Sequence, residues 1–428
     1  LGLRAGDGLA EPPPASDVSV YDVAIIGAGA AGIGAARRLA ERRLETIVLE
    51  ARDRLGGRAF TVAPAGGYPV DLGCEWLHSA DRNPLTRLAR AEGFTVVEKL
   101  PDWGERLIRT GASAAESADW QKARAAFQER VAAAARKGTD HAAADLLEPG
   151  NRWNALLDAI STWANGVELD RLSVQDYARY EDSGVNWRVL EGYGRLIERL
   201  AAGLPIRLST PVHRIDHRGR TIRLETPSGT VEAAAVLVTV PPTLIARETI
   251  AFTPPLPSAK MEAAHGLPLG LADKLFLALD GPAPELPPDS HILGSTKRVA
   301  TGGYQLRPHG RPMIAAYFGG ALARRLEAEG PGAMAQFARD ELAGLFGSAF
   351  AKRLRRIASS AWAVDPWALG SYSFALPGHA DDREKLAAPI DGRLFFAGEA
   401  CAPGFFSTAH GAYLSGLAAA EAVAAAKN

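Results

Sequence analysis

The chain has 428 residues, 47% of them hydrophobic, and a formal charge of −1. That length exceeds what one hydrophobic core usually serves, so two domains are expected. There is no basic excess for nucleic acid, no charged tail and no apolar run near the roughly 18 residues of a membrane span, and two cysteines, Cys74 and Cys401, make neither a disulfide framework nor a metal cluster.

The chain opens at Leu1, and residues 1–20 are Gly/Pro/Ala-rich and aperiodic. They read as a flexible leader, either a trimmed terminus or the remainder of a removed targeting peptide. Residues 23–26, a β-branched apolar run, then lead into Gly27-x-Gly29-x-x-Gly32. A helical pattern continues through Leu39, and a second apolar strand, 46–49, ends on Glu50. Strand, glycine turn, helix, strand and acid, in that order, predict a dinucleotide-binding βαβ unit. The glycines let backbone approach a pyrophosphate at a helix N-terminus, and Glu50 is placed to accept from a ribose diol. Arg52-Asp53-Arg54-Leu55-Gly56-Gly57-Arg58 follows. Its glycine pair can bring amides to phosphate, and Arg52 and Arg58 can neutralise charge there.

The nucleotide unit extends to about Leu77. Residues 84–204 show helical spacing. Strand signals return at 205–208, 212–215, 221–225 and 230–240, the last closed by Pro241-Pro242. Between 254 and 376, strands at 274–279 and 313–318 and a helix at 332–345 predict a second sheet. From Gly392 the chain re-enters the first domain through Arg393-Leu394-Phe395-Phe396-Ala397-Gly398-Glu399, followed by an Ala-rich helix, 412–426, read as a packed core helix.

The run Leu49-Glu50-Ala51-Arg52-Asp53-Arg54-Leu55-Gly56-Gly57-Arg58 resembles the second half of the FAD signature of the flavin amine oxidases, the monoamine and polyamine oxidase family. The resemblance extends from about Tyr21 to the C-terminus and is strongest at the two ends. It implies an α/β fold: a discontinuous Rossmann-like FAD-binding domain (residues 21–84, 205–258 and 385–428) with an inserted α+β substrate-binding domain (85–204 and 259–384). The active site is expected between them.

The resemblance also assigns residues. Gly27, Gly29, Gly32, Glu50, Arg52, Gly57 and Arg58 would hold FAD, with Val212, Trp367, Gly398, Glu399 and Thr408. Trp76 lies in Asp71-Leu-Gly-Cys-Glu-Trp-Leu-His78, which is similar to the segment under the flavin ring. Glu399 takes the place of the acid that binds the ribityl chain. Lys274, by itself a surface-type lysine beside an apolar strand, matches a family lysine held through water near flavin N5. Tyr372 matches one wall of an aromatic cage, with Trp362 and Trp367 flanking the ring and Thr408 at the opposite wall. His78 falls where some polyamine oxidases carry an active-site histidine. Ser371 stands where monoamine oxidases have the cysteine that anchors FAD, so non-covalent FAD is expected. The Thr-x-His-Gly-Ala-x-Leu-Ser-Gly run, 408–416, is closer to the polyamine oxidase and histone-demethylase branch.

The implied reaction is oxidation of a polyamine- or monoamine-type substrate. The α C–H transfers to flavin N5, the imine hydrolyses to aldehyde or ketone, and O2 is reduced to H2O2. No metal, nucleic acid or membrane span is expected. The protein reads as soluble, in the cytoplasm, or in the periplasm if the leader was processed; a homodimer is left open. The fingerprint also serves amine dehydrogenases, desaturases, protoporphyrinogen-type oxidases, L-amino-acid oxidases and flavin carriers without turnover. An L-amino-acid oxidase would need an arginine clamp that cannot be picked from this sequence.

Overall fold

The computed structural model describes residues 20–64, 67–284 and 286–427. The expected leader lies outside these residues up to position 19, and Val20 already belongs to the first strand, Val20–Ile26. That strand pairs in parallel with Thr46–Leu49 on one side and Gly229–Val238 on the other. Strands of a parallel core are covered on both faces, which is why residues 23–26 and 47–49 are unbroken apolar runs. The full sheet has eight strands, in the order Ala251–Thr253, Arg214–Asp216, Ile222–Thr226, Gly229–Val238, Val20–Ile26, Thr46–Leu49 and Ile206–Arg207. Leu394–Phe396 adds in parallel to Gly229–Val238. Three separated stretches of chain therefore build one sheet. On one face the helices Ala30–Glu41 and Ala409–Lys427 pack so closely that a Cβ at Gly416 would lie 2.1 Å from the Ala31 carbonyl oxygen.

A second, antiparallel sheet runs Ser290–Leu293, Gly303–Leu306, Met313–Gly319, Ala272–Leu279, Leu354–Ser359. Side chains alternate between its faces. Leu275, Leu277, Ile314, Ala316 and Phe318 form a core with the helices Gly320–Glu329 and Pro331–Phe346. The other face carries Lys274, Phe276, Ala315, Tyr317 and Gln305.

One stretch departs from the expected division. The helix Tyr193–Leu200 lies within the segment assigned to the substrate side, yet Leu196, Ile197 and Leu200 share a core with Ile33 of the nucleotide helix. Its N-terminal amides, Tyr193 and Gly194, donate to Asp71 at 3.0 and 3.2 Å. Helical spacing identifies an apolar face but not the surface that receives it. Two short strands, Val96–Val97 and Trp187–Val189, also interrupt the expected helical region; Trp187–Val189 lies between Trp76–Leu77 and Val96–Val97 and pairs antiparallel with both. Among the described residues no helix is long and apolar enough to cross a membrane.

Candidate functional site

The glycine motif makes a backbone cradle. Gly27 has φ 105°, which favours glycine, and a Cβ at Gly32 would sit 1.9 Å from the Gly27 carbonyl oxygen. Gly29, the N-cap of Ala30–Glu41, forms a parallel bridge with Gly56. A Cβ on Gly57 would come within 3.3 Å of the Gly29 Cα. Both glycine runs thus meet backbone to backbone at a helix N-terminus. Glu50 is 3% exposed and accepts the amides of Ala28 (2.7 Å) and Arg52 (2.9 Å). A carboxylate offers about four acceptor positions, so it retains capacity for a diol. Arg52 pairs with Asp365 at 2.8 Å, and Asp365 accepts the Trp367 amide at 2.8 Å, which clamps the half-buried Trp367 to the cradle. Val212 is buried two residues beyond Thr210, whose amide donates to the Glu50 carbonyl. Cradle, buried acid and flanking arginines fit the adenosine and pyrophosphate of FAD.

Arg58 leads from the cradle to the second glycine region. Its Nη1 donates to the Ser371 carbonyl and to Glu399 Oε1, both at 2.9 Å. Glu399 also accepts from the Ser373 amide (3.1 Å), the Ser373 hydroxyl (2.6 Å) and the Ser407 amide (2.9 Å). Burial would raise its carboxyl, but Arg58 and these hydrogen bonds hold it below the usual range. Four protein donors therefore converge on Glu399, the acid expected to meet the ribityl chain, and it pins the loop of Tyr372 to that of Thr408. Thr408 is likewise engaged. Its hydroxyl donates to the Phe405 carbonyl (2.6 Å) and accepts the Gly411 amide (2.9 Å), a cap for the last helix that leaves only its methyl for a cage wall. Gly398, at φ 142°, exchanges bonds with the Ser415 hydroxyl.

Lys274 is 8% exposed, so the surface reading of its sequence context fails. Its ammonium donates to the Asp71 carbonyl (3.1 Å) and Glu75 Oε2 (2.9 Å), which leaves one N–H for other partners. Glu75 also accepts the Tyr317 hydroxyl and lies 3.7 Å from Arg188 Nη1. Burial alone would raise the Glu75 carboxyl; Lys274, Arg188 and the Tyr317 bond hold it at about 2. Arg188 is 2% exposed, pairs with Asp289 at 2.7 Å and stacks over Trp76. Trp76, expected against the cofactor, has its ring in a cluster with Trp103 (5.1 Å) and His291 (6.3 Å) on the substrate sheet.

Tyr372 pairs with Gly270 in a two-residue ladder, and its hydroxyl donates to the Trp163 carbonyl. Trp362, expected to flank the ring, is 5% exposed, belongs to the core behind the substrate sheet and donates its indole N–H to the Leu72 carbonyl at 3.1 Å. The Ser371 hydroxyl exchanges bonds with the backbone of Ala272 (2.8 and 2.9 Å) and offers no thiol. His78 Nδ1 lies 2.7 Å from Asn186 Oδ1, and burial lowers its pKa.

Sequence reasoning missed several of these residues. Glu75 was visible as an acid within an apolar segment. Arg188, Tyr317, Trp163 and the buried Arg383–Asp176 pair (2.8 Å), which also holds Ser373, carry no local signal because their partners are distant in sequence.

The family model described as flavin containing amine oxidoreductase matches residues 30–173 and 172–424. Polyamine oxidase 2 of Arabidopsis thaliana is 30% identical over 411 residues, covering 88% of this chain and 82% of its own. Polyamine oxidase 3 of Oryza sativa subsp. japonica is 32% identical over 421 residues, covering 88% and 84%. Putrescine oxidase bound to putrescine superposes with a TM-score of 0.80 at 20% identity, over 95% of this chain and 99% of that one, a likeness of fold. The chain therefore belongs to the flavin-containing amine oxidoreductases, and its reaction is the oxidation of an amine with FAD as the cofactor.

Proposed function

We propose that the enzyme oxidises primary or secondary amines at a site between the two sheets and passes the electrons to O2, giving H2O2. The observation that carries this reading is Lys274, a buried ammonium with one uncommitted N–H on the sheet face turned toward the cofactor segment 70–75. FAD, when bound, supplies the two-electron acceptor.

The chain's residues orient and shield. The Tyr372 ring, fixed by its bond to Trp163, presents a π-face to the amine. His78, kept neutral by burial, adds no charge that would repel a cationic substrate. Lys274 holds a fixed positive charge where an oxygen anion develops, and Glu75 keeps that charge in place. The amine loses its α C–H and two electrons, and water converts the imine to a carbonyl product. No side-chain nucleophile takes part. The division of the chain at residues 21–84, 205–258 and 385–428 against 85–204 and 259–384 belongs to this proposal, with the helix Tyr193–Leu200 moved to the cofactor side.

The test is the oxidative half. After reduction by an amine, the Lys274→Met variant should reoxidise in air at least tenfold more slowly than wild type, with little change in the rate of reduction. Equal reoxidation rates, or no peroxide from the wild type, would count against O2 as the acceptor.

A further inference from the structure

The sheet face that carries Lys274 also carries a polar side chain that the mechanism above does not use. Gln305 is 0% exposed, and neither its amide oxygen nor its amide nitrogen has a hydrogen-bond partner among the described residues. A buried primary amide left dry on both atoms is costly, and Leu or Met would fill the same volume without that cost.

The register fixes where it lies. Lys274 pairs with Tyr317, and Tyr317 with Gly303. Two residues on, Phe276 pairs with Ala315, Ala315 with Gln305, and Gln305 with His291. Two strand spacings and two residue rises put the Gln305 Cα about 12 Å from that of Lys274 on the same face. Ala315 and Gly303, which lie between them on that face, are small and buried, Ala315 in a cluster with Val70 and Leu72. Trp163, the residue whose carbonyl holds Tyr372, lies over Gly303 with ring atoms 3.6 to 3.7 Å from where a Cβ would be. Its indole N–H is also buried without a partner. Unpartnered hydrogen-bonding groups thus run from the Tyr372 wall toward Gln305.

The charges nearby do not suit a second ammonium. Glu75 is matched by Lys274 and Arg188, and Asp102 by His291 and Arg109. Arg106 adds a guanidinium within electrostatic reach of Tyr317 and His291.

We propose that Gln305, with Trp163, recognises the far end of the substrate, and that it selects amines ending in a neutral hydrogen-bonding group, a hydroxyl or carbonyl, over those ending in a second ammonium. This rests on the amine-oxidation reading and narrows its substrate class.

Three amines of matched length test it on the holoenzyme under anaerobic conditions: pentylamine, 5-aminopentan-1-ol and cadaverine. Dissociation constants come from the concentration dependence of flavin bleaching. The wild type should bind the amino alcohol about tenfold more tightly than pentylamine, as one satisfied hydrogen bond allows, and cadaverine more weakly than either. Gln305→Leu should erase the hydroxyl preference and leave pentylamine within about twofold. Gln305→Glu, which keeps the shape and adds a charge, should move the preference to cadaverine. Without any turnover, 1,5-pentanediol should perturb the oxidised flavin spectrum of the wild type and not of Gln305→Leu. A hydroxyl preference that survives Gln305→Leu, or cadaverine as the tightest wild-type ligand, overturns the inference. Equal constants for all three amines overturn it while leaving amine oxidation intact, whereas failure of every amine to bleach the flavin removes the underlying reading as well.

Discussion

Replacing Glu75 by Gln tests the buried charge pair that holds Lys274. The substitution preserves shape and an acceptor oxygen but removes one negative charge between Lys274 and Arg188. At 2.9 Å and an effective dielectric near 20, Coulomb attraction alone is about 6 kcal/mol. Burial opposes it, and the carboxyl's net displacement from 4.5 to about 2 corresponds to about 3 kcal/mol. That is the size expected when one partner of a buried pair is removed. The folded value lies below the unfolded one. The stabilisation is therefore fully present above pH 4.5 and is lost as pH falls toward 2. Denaturant unfolding of wild type and Glu75→Gln should show a gap of about 3 kcal/mol at pH 7, shrinking to about 1 kcal/mol by pH 3. A gap below about 0.5 kcal/mol at pH 7, or one unchanged between pH 7 and pH 3, would refute the pairing.

Gly32→Ala should purify colourless and fail to take up FAD in a fluorescence titration, because its methyl would enter the Gly27 carbonyl. Thr408→Ala should lose about 1 kcal/mol through the missing cap, with Thr408→Ser restoring most of it, measured by thermal unfolding. Burial pushes His410 down to about 4 from an ordinary 6.5, so the folded state refuses a proton that the unfolded state accepts. Its stabilisation, about 3 kcal/mol at most, is present above pH 6.5 and lost as pH falls toward 4; stability of His410→Asn relative to wild type should accordingly improve across that window. Acid precipitation of the wild type should leave all flavin in the supernatant, since Ser371 offers no thiol for a covalent link.

The parts of this molecule legible in its sequence are those with local causes. The glycine cradle, Glu50 and the continuous apolar strands follow from short-range geometry and from burial on both sheet faces, and the strand bounds shift by at most three residues in the structure. The strands Ser290–Leu293, Gly303–Leu306 and Leu354–Ser359 escaped because glycine, basic residues and short length blur the period-two signal. In the site, Tyr372 and Lys274 were reached through resemblance, whereas their supports were not. Glu75 is 199 residues from Lys274 in sequence, and Trp163 is 209 from Tyr372. Trp362, Glu399 and Thr408 were also reached that way. The resemblance suggested contact with the cofactor, whereas the hydrogen bonds that hold Trp362 and Glu399 to the chain itself have distant partners that no local pattern announces, and Thr408 bonds to Phe405, three residues away.

Anaerobic addition of amines to the purified flavoprotein tests the central claim most directly. The account predicts that an amine bleaches the oxidised flavin absorbance, that admitting air restores it with formation of peroxide, and that Tyr372→Ala weakens bleaching at a given amine concentration. A flavin that stays oxidised with every amine from putrescine and spermidine to phenethylamine, tyramine, cyclic tertiary amines and amino acids would contradict it.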